Sequence, residues 1–274
     1  MAYMTLTVFS RTLGMEVRLE AVLPDVARTP FTGRLPLLLL LHGMSDCENS
    51  YMRMSALEQY ARARRVAVVT PTTHRGAYTN QYAGLRYFDF ISQELPELCA
   101  AYLPVATDRE HLWAAGLSMG GYGALKLGLA CPEAFSRIAV MSAGCDRTAL
   151  LPAACDGIGT LEQLHAQRAQ LTDAQFGAMM QFLSTFGSRG RYEADGLNNL
   201  FLLAERAAGA AQLPAIAMWC GAEDELAIEP NRRFHAKLDA LGIVHTYVED
   251  HGRHEWTYWD SHLPAVLDWL CGEA

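Results

Sequence analysis

Long apolar runs are missing from this chain of 274 residues. A stretch such as Leu35 to Leu41 is interrupted by Pro36 and falls far short of the roughly 20 apolar residues that a membrane-spanning helix needs. Basic blocks are missing too. With 22 Lys and Arg against 30 Asp and Glu, the formal net charge is −8, which argues against nucleic acid and membrane surfaces as partners. Residues 1–7 show no charged segment leading into an apolar one, so no secretory leader is read there. The seven cysteines (Cys47, Cys99, Cys131, Cys145, Cys155, Cys220 and Cys271) are odd in number and include no C-x-x-C pair. Most sit in apolar surroundings, which speaks against a disulfide framework and for reduced thiols in a cytoplasmic protein. Internal repeats and low-complexity segments are likewise absent.

What is present is apolar punctuation on a strand–helix rhythm. Hydrophobic residues make up 51% of the chain, enough for one sizeable core, and a single domain over 1–274 is expected. Residues 5–9 and 15–23 read as an edge hairpin turning at Leu13-Gly14, with Pro24 ending the second strand and a polar stretch running to Gly33-Arg34. Continuous apolar segments at 37–41, 66–71, 112–115, 138–142 and 215–220 read as strands buried on both faces, followed by a last strand at 244–249. Helical patterns fall at 51–65, 88–103, 124–130, 231–241 and 256–270. This alternation predicts an α/β fold with a mostly parallel, doubly wound sheet. Residues 146–213 break the rhythm with helical patterns at 161–171, 173–186 and 197–211. Such a helical insertion serves as a lid or substrate wall in one reading and as a plain surface excursion in the other.

Gly116-Leu117-Ser118-Met119-Gly120 carries the most chemical information. An apolar strand precedes this G-x-S-x-G and a helix follows it, the context of a nucleophile elbow. There a strained turn projects the serine hydroxyl into a cleft, and the flanking glycines leave room for close backbone approach. A serine alcohol needs a general base, and the base needs an orienting acid. In α/β-hydrolases these follow in the order Ser, Asp or Glu, His. Cys220-Gly221-Ala222-Glu223-Asp224-Glu225 directly follows one expected strand, and His251-Gly252-Arg253-His254-Glu255-Trp256 follows the last. Asp224 is preferred over Glu223 and Glu225 as the acid of a G-x-x-D turn, and His254 over His251 because its turn opens a helix. A histidine pair three apart without further ligands at suitable spacing does not make a metal site, and none is expected. The developing oxyanion needs two N–H donors. Met119, after the serine, supplies one candidate, and Met44 in Leu41-His42-Gly43-Met44-Ser45-Asp46 supplies the other.

These residues resemble the esterase D and tributyrin esterase group of α/β-hydrolases, whose relatives include acetyl and feruloyl esterases. The likeness spans most of the chain. It rests on Leu41-His42-Gly43-Met44-Ser45, Thr79-Asn80-Gln81-Tyr82, Glu94-Leu95-Pro96, the block Gly-Leu-Ser-Met-Gly-Gly-Tyr-Gly-Ala-Leu at 116–125, the Gly221/Asp224 turn and Gly252-Arg253-His254-Glu255-Trp256. The resemblance implies a serine carboxylesterase for short acyl chains, without a cofactor. It implies Ser118 as nucleophile, His254 as base, Asp224 as acid, and Met44 and Met119 as oxyanion donors. S-formylglutathione hydrolase is a related possibility. Its elbow typically has His where Tyr122 stands, and its oxyanion loop usually reads Gly-Leu-Thr-Cys, where this chain has Gly43-Met44-Ser45-Asp46-Cys47. Both departures favour a simple ester.

The expectation is therefore an α/β-hydrolase that cleaves small-molecule esters through an acyl-enzyme, with no nucleic acid or membrane partner and with homo-oligomerisation left open. A thioesterase or acyltransferase would use the same machinery. A non-catalytic binding protein of this fold would be expected to have lost one of the three residues. Tyr82, Tyr87, Trp256 and Trp259, together with 146–213, are expected near the site, where they would narrow the cleft.

Overall fold

Five consecutive leucines, Leu37 to Leu41, cannot all face one side of a sheet, because strand side chains alternate. The computed structural model, which describes residues 1–24, 33–62 and 64–272, resolves them into two cores. Leu37, Leu39 and Leu41 join one cluster with Val69, Ala114 and Leu125. Leu38 and Leu40 join another with Val68, Ala115 and Leu263. Burial on both faces is what a central parallel strand requires.

Among the described residues, nine strands form the sheet: β1 (Ala2–Ser10), β2 (Met15–Leu23), β3 (Leu35–Leu41), β4 (Ala67–Pro71), β5 (Val105–Ala106), β6 (Leu112–Leu117), β7 (Arg137–Met141), β8 (Ala215–Gly221) and β9 (Thr246–Asp250). Their order is β1-β2-β4-β3-β6-β7-β8-β9, with β5 beside β3. The hairpin β1–β2 is antiparallel, and β2 pairs antiparallel with β4. The other pairings, from β4 to β9, are parallel. Helix Met119–Ala130 packs in the first core. Helices Ser50–Met54, Leu57–Arg62 and Trp256–Cys271 pack in the second. Among the described residues, no helix is long and apolar enough to cross a membrane.

The chain winds from β3 outward to β4, then returns to β6 and winds the other way, so the order switches between β3 and β6. Register aligns the strand ends there: Leu41 lies beside Gly116, Leu117 beside Met141, Met141 beside Trp219, and Gly221 beside Asp250. The loops after these strands therefore emerge along one edge, where doubly wound sheets form their crevice.

Three expected elements differ in detail. The helix expected over 51–65 is two short ones. Ser55 between them is extended, its hydroxyl donating to the Tyr51 carbonyl at 2.6 Å and accepting the Leu57 N–H at 3.2 Å. Such local side-chain bonds compete with the helix ladder. The helix expected over 88–103 runs as Tyr87–Asp89, a wide turn Phe90–Glu94, and Leu95–Tyr102. Pro96 has no N–H to return to the Ser92 carbonyl, and the widened turn accommodates that gap. Within 146–213 the longer helices are Leu161–Ala166, Asp173–Phe186 and Leu200–Ala207, the first two opened by Thr–Gln capping boxes. This segment has a small cluster of its own around Leu164, Met179 and Leu183, while Phe182, Phe186 and Tyr192 join the first core. Most of the polar stretch expected after Pro24 lies outside the described residues.

The elbow glycines are required by backbone, not by flexibility. A Cβ on Gly120 would stand 2.0 Å from the Leu41 carbonyl oxygen, and one on Gly116 would stand 2.5 Å from the Gly120 carbonyl carbon. Backbone at a buried strand end cannot rotate away as a side chain would. Gly120→Ala is therefore expected to destabilise by about 3 kcal/mol, the upper end for overpacking a core. Urea unfolding of the variant beside Gly177→Ala, where a Cβ meets nothing within 4 Å, measures it.

Candidate active site

Between β6 and helix Met119–Ala130 the chain turns within one residue. Ser118 takes φ 52° and ψ −115°, a conformation costing about 1–3 kcal/mol for a residue with a side chain. Its neighbours hold it there. The Ser118 N–H donates to the Met141 carbonyl at 2.9 Å, and its own carbonyl accepts the N–H of Gly144 at 2.9 Å and of Tyr122 at 3.1 Å.

Two acid–histidine pairs form from the five candidates, and only one reaches the serine. His254 Nε2 lies 3.0 Å from Ser118 Oγ, and His254 Nδ1 lies 2.8 Å from Asp224 Oδ2. A carboxylate accepts, so Nδ1–H donates to it and Nε2 is left to accept from the serine hydroxyl. The second pair joins His251 Nδ1 to Glu223 Oε1 at 2.8 Å, with the His251 side chain 93% exposed. Glu223 is more than a solvated loop carboxylate: it also accepts the Gly252 N–H at 2.7 Å. The acid and base loops touch backbone to backbone, for a Cβ on Gly221 would be 2.3 Å from the Gly252 carbonyl oxygen. Among the described residues, Glu225 bonds to neither histidine.

Asp224 is fully buried. Burial pushes its carboxyl pKa up. The hydrogen bond and charge of His254, a hydrogen bond from Ser142 and the Ala227 N–H outweigh that, holding the pKa below the ordinary aspartate value. Its other oxygen accepts the N–H groups of Leu226 at 3.1 Å and Ala227 at 2.9 Å. Ser142, at the end of β7 with φ 47°, accepts the Trp259 indole N–H at 3.1 Å. Trp259 also sets its ring edge-on to His254 at 5.0 Å. Sequence reading missed Ser142 as a member of this network. Its position immediately after an apolar strand, at the same sheet edge as Ser118, was the available signal.

Met44 sits in a turn closed by Asp46, whose carboxylate accepts the Gly43 N–H at 3.1 Å and whose N–H donates to the Gly43 carbonyl at 3.2 Å. Met119 opens the helix, where first-turn N–H groups have no intrahelical acceptor and the helix dipole favours negative charge. Beneath this loop, buried His42 donates through Nδ1 to the Gly43 carbonyl at 2.6 Å and accepts the Thr73 N–H at Nε2 over 3.2 Å. Only the neutral ring does both.

A cavity of about 640 Å³ opens over Ser118 and His254. Met44, Met54, Leu150, Leu226, Trp256 and Trp259 supply its apolar wall. Tyr82 and Tyr87 do not line it: Tyr82 is 62% exposed and Tyr87 belongs to the first core. Of residues 146–213, Asp146 and Leu150 border it.

A mostly parallel, helix-flanked open sheet with a strained serine at its switch point defines the α/β-hydrolase class. The family model described as "Putative esterase" matches residues 10–270, and the chain belongs to that family. It is 27% identical to an acetyl esterase of Caldicellulosiruptor saccharolyticus, covering 98% of both chains. A substrate-bound fluorophosphonate-binding serine hydrolase of Staphylococcus aureus is similar at 27% identity and a TM-score of 0.80, covering 98% of both chains. An S-formylglutathione hydrolase from Staphylococcus aureus follows at 27% identity and a TM-score of 0.78, with the same coverage. The protein is a carboxylic ester hydrolase of the serine hydrolase kind.

Burial lowers the His42 pKa from 6.5 to about 4. Between those values the unfolded chain binds the proton and the folded one does not, so stability is full above pH 6.5 and falls as pH drops toward 4. The loss from this ring is roughly 3 kcal/mol at 1.36 kcal/mol per pKa unit. Asp224, with its lowered pKa, adds its own loss only at still lower pH. Denaturant titrations from pH 7.5 to 4 are expected to show that slope in the wild type and a flatter one in His42→Gln.

Proposed function

We propose that this esterase cleaves small carboxylic esters with short acyl chains through an acyl-enzyme on Ser118. His254 Nε2 takes the hydroxyl proton as Ser118 Oγ attacks the ester carbonyl. Asp224 holds the imidazole in the required tautomer and stabilises the imidazolium. The tetrahedral oxyanion is met by the N–H groups of Met44 and Met119. The imidazolium then protonates the departing alcohol, and a water activated by the same ring hydrolyses the acyl-enzyme. The observation that carries this reading is the continuous chain Asp224–His254–Ser118, at 2.8 and 3.0 Å, ending on a strained serine at the floor of the cavity. One domain performs this chemistry, with 146–213 as a helical insertion bordering the cavity through Asp146 and Leu150. An odd number of cysteines, seven, with no C-x-x-C pair among them, fits a reducing, cytoplasmic setting.

The acetyl esterase relative and the cavity's aromatic wall of Trp256 and Trp259 support a short acyl group. The likeness to an S-formylglutathione hydrolase favours a second reading, a thioester of a one-carbon acyl group. Each methylene seated in an apolar slot is worth about 0.8 kcal/mol, so a slot too short to seat them forfeits longer esters.

Ser118→Ala and His254→Ala are each expected to lower kcat by about 10⁴-fold or more with the fold intact, and Asp224→Asn by about 10⁴-fold. His251→Ala and Glu225→Gln are expected to stay near wild type. Nitrophenyl esters from acetate to decanoate, run beside S-formylglutathione and feruloyl esters, test the substrate. Highest kcat/KM at two to four carbons supports the proposal, a maximum at eight or more refutes the short slot, and a dominant S-formylglutathione rate selects the second reading.

A further inference from the structure

Away from the cavity, helix Ile228–Ala240 and the approach to β9 bring two imidazoles and a carboxylate together. His235 and Asp239 are one turn apart on the helix, and His245 immediately precedes β9. One ligand atom from each residue lies within 4.8 Å of the other two. His235 Nδ1 and His245 Nε2 are 2.7 Å apart, and Asp239 Oδ2 is 3.5 Å from His235 Nε2.

The surroundings already orient both rings. His245 Nδ1 lies 2.8 Å from the Ile243 carbonyl oxygen. A carbonyl only accepts, so the ring proton is on Nδ1 and the Nε2 lone pair faces His235. Pinning one imidazole nitrogen on a carbonyl is how proteins aim the other at a metal. Tyr247 stacks on the His235 ring at 4.5 Å and 15° between planes. Asp239 is 62% exposed and has room to swing inward. None of the three takes part in ester cleavage: they lie near the amino end of β9, about 15 Å along the strand from the loop carrying His254.

We propose that His235, Asp239 and His245 form a binding site for a borderline divalent transition-metal ion of the Zn²⁺ class, with water completing its coordination. Imidazole nitrogens suit such ions, and a single carboxylate supplies negative charge. In the metal-free protein the His235 Nδ1 proton bridges the two rings. The cation takes its place, and that proton moves to His235 Nε2, leaving both rings neutral. Two nitrogens about 2.0–2.1 Å from a tetrahedral ion stand roughly 3.3 Å apart, so the rings need open by only about half an ångström. The ion would staple the helix that begins just after the Asp224 turn to the strand that leads to His254.

Calorimetric titration of ZnCl₂ into EDTA-treated, dialysed protein tests this. One saturable equivalent is expected, weakened about tenfold or more by His245→Ala and by Asp239→Ala. Saturating Zn²⁺ is expected to raise the melting midpoint of the wild type by about 5 °C and that of His245→Ala by much less. His251→Ala, which removes the exposed histidine beside the catalytic loop, is expected to bind as the wild type does. The proposal is overturned if the wild type shows no saturable binding, if both site variants bind unchanged, or if His251→Ala is the change that abolishes binding. Should His245→Ala fail to fold by circular dichroism, Asp239→Ala on the surface still decides between these outcomes.

Discussion

The backbone of Gly120 lies so near the end of β3 that a methyl group there would stand 2.0 Å from the Leu41 carbonyl oxygen and 2.8 Å from that of His42. This contact sets the distance between the two loops that frame the cavity. One loop carries Ser118 and the N-terminus of its helix, and the other carries Met44. A residue with a side chain at 116 or 120 would push them apart, and the two oxyanion donors proposed on these loops, Met44 and Met119, tolerate little displacement. The strain at Ser118 is held by the same construction, since bonds to Met141, Gly144 and Tyr122 leave its backbone no lower-energy turn to adopt.

A second constraint is electrostatic. Burying the Asp224 carboxylate is unfavourable unless each lone pair is met. Here two backbone N–H groups, His254 and Ser142 meet them, and Ser142 is itself oriented by the Trp259 indole. The outcome is a carboxylate that remains charged although buried, and a histidine held by it through Nδ1. Glu223 and His251 form an outwardly similar pair in water, where the same contact is screened and contributes little. The two pairs are adjacent in sequence, yet their surroundings make them different chemical objects. Glu223 retains a use, since its bond to the Gly252 N–H joins the acid loop to the base loop.

Much of this was legible in the chain. Apolar strands of uninterrupted Leu and Val, spaced by helical patterns, dictate a parallel sheet covered on both faces, because no other arrangement buries them. The Gly116–Gly120 motif between a strand and a helix dictates the sharp turn, and Asp224 and His254 follow strands that had to end at the same edge. Helix interruptions were not legible. Ser55 and Pro96 alter single hydrogen bonds whose cost depends on what packs around them.

Sequence alone thus determined the fold class, the strained serine and the short list of its partners, since these follow from local periodicity and from which residue types supply the chemistry. Only the tertiary structure decided which members of that list meet. Whether His254 or His251 faces Ser118 depends on burial by Trp259 and on the register of β8 against β9, which no local pattern encodes. The same holds for Ser142 behind Asp224, for the two tyrosines that turned away from the cavity, and for the contact between His235 and His245. These are long-range arrangements, set by how helices and strands pack around one core.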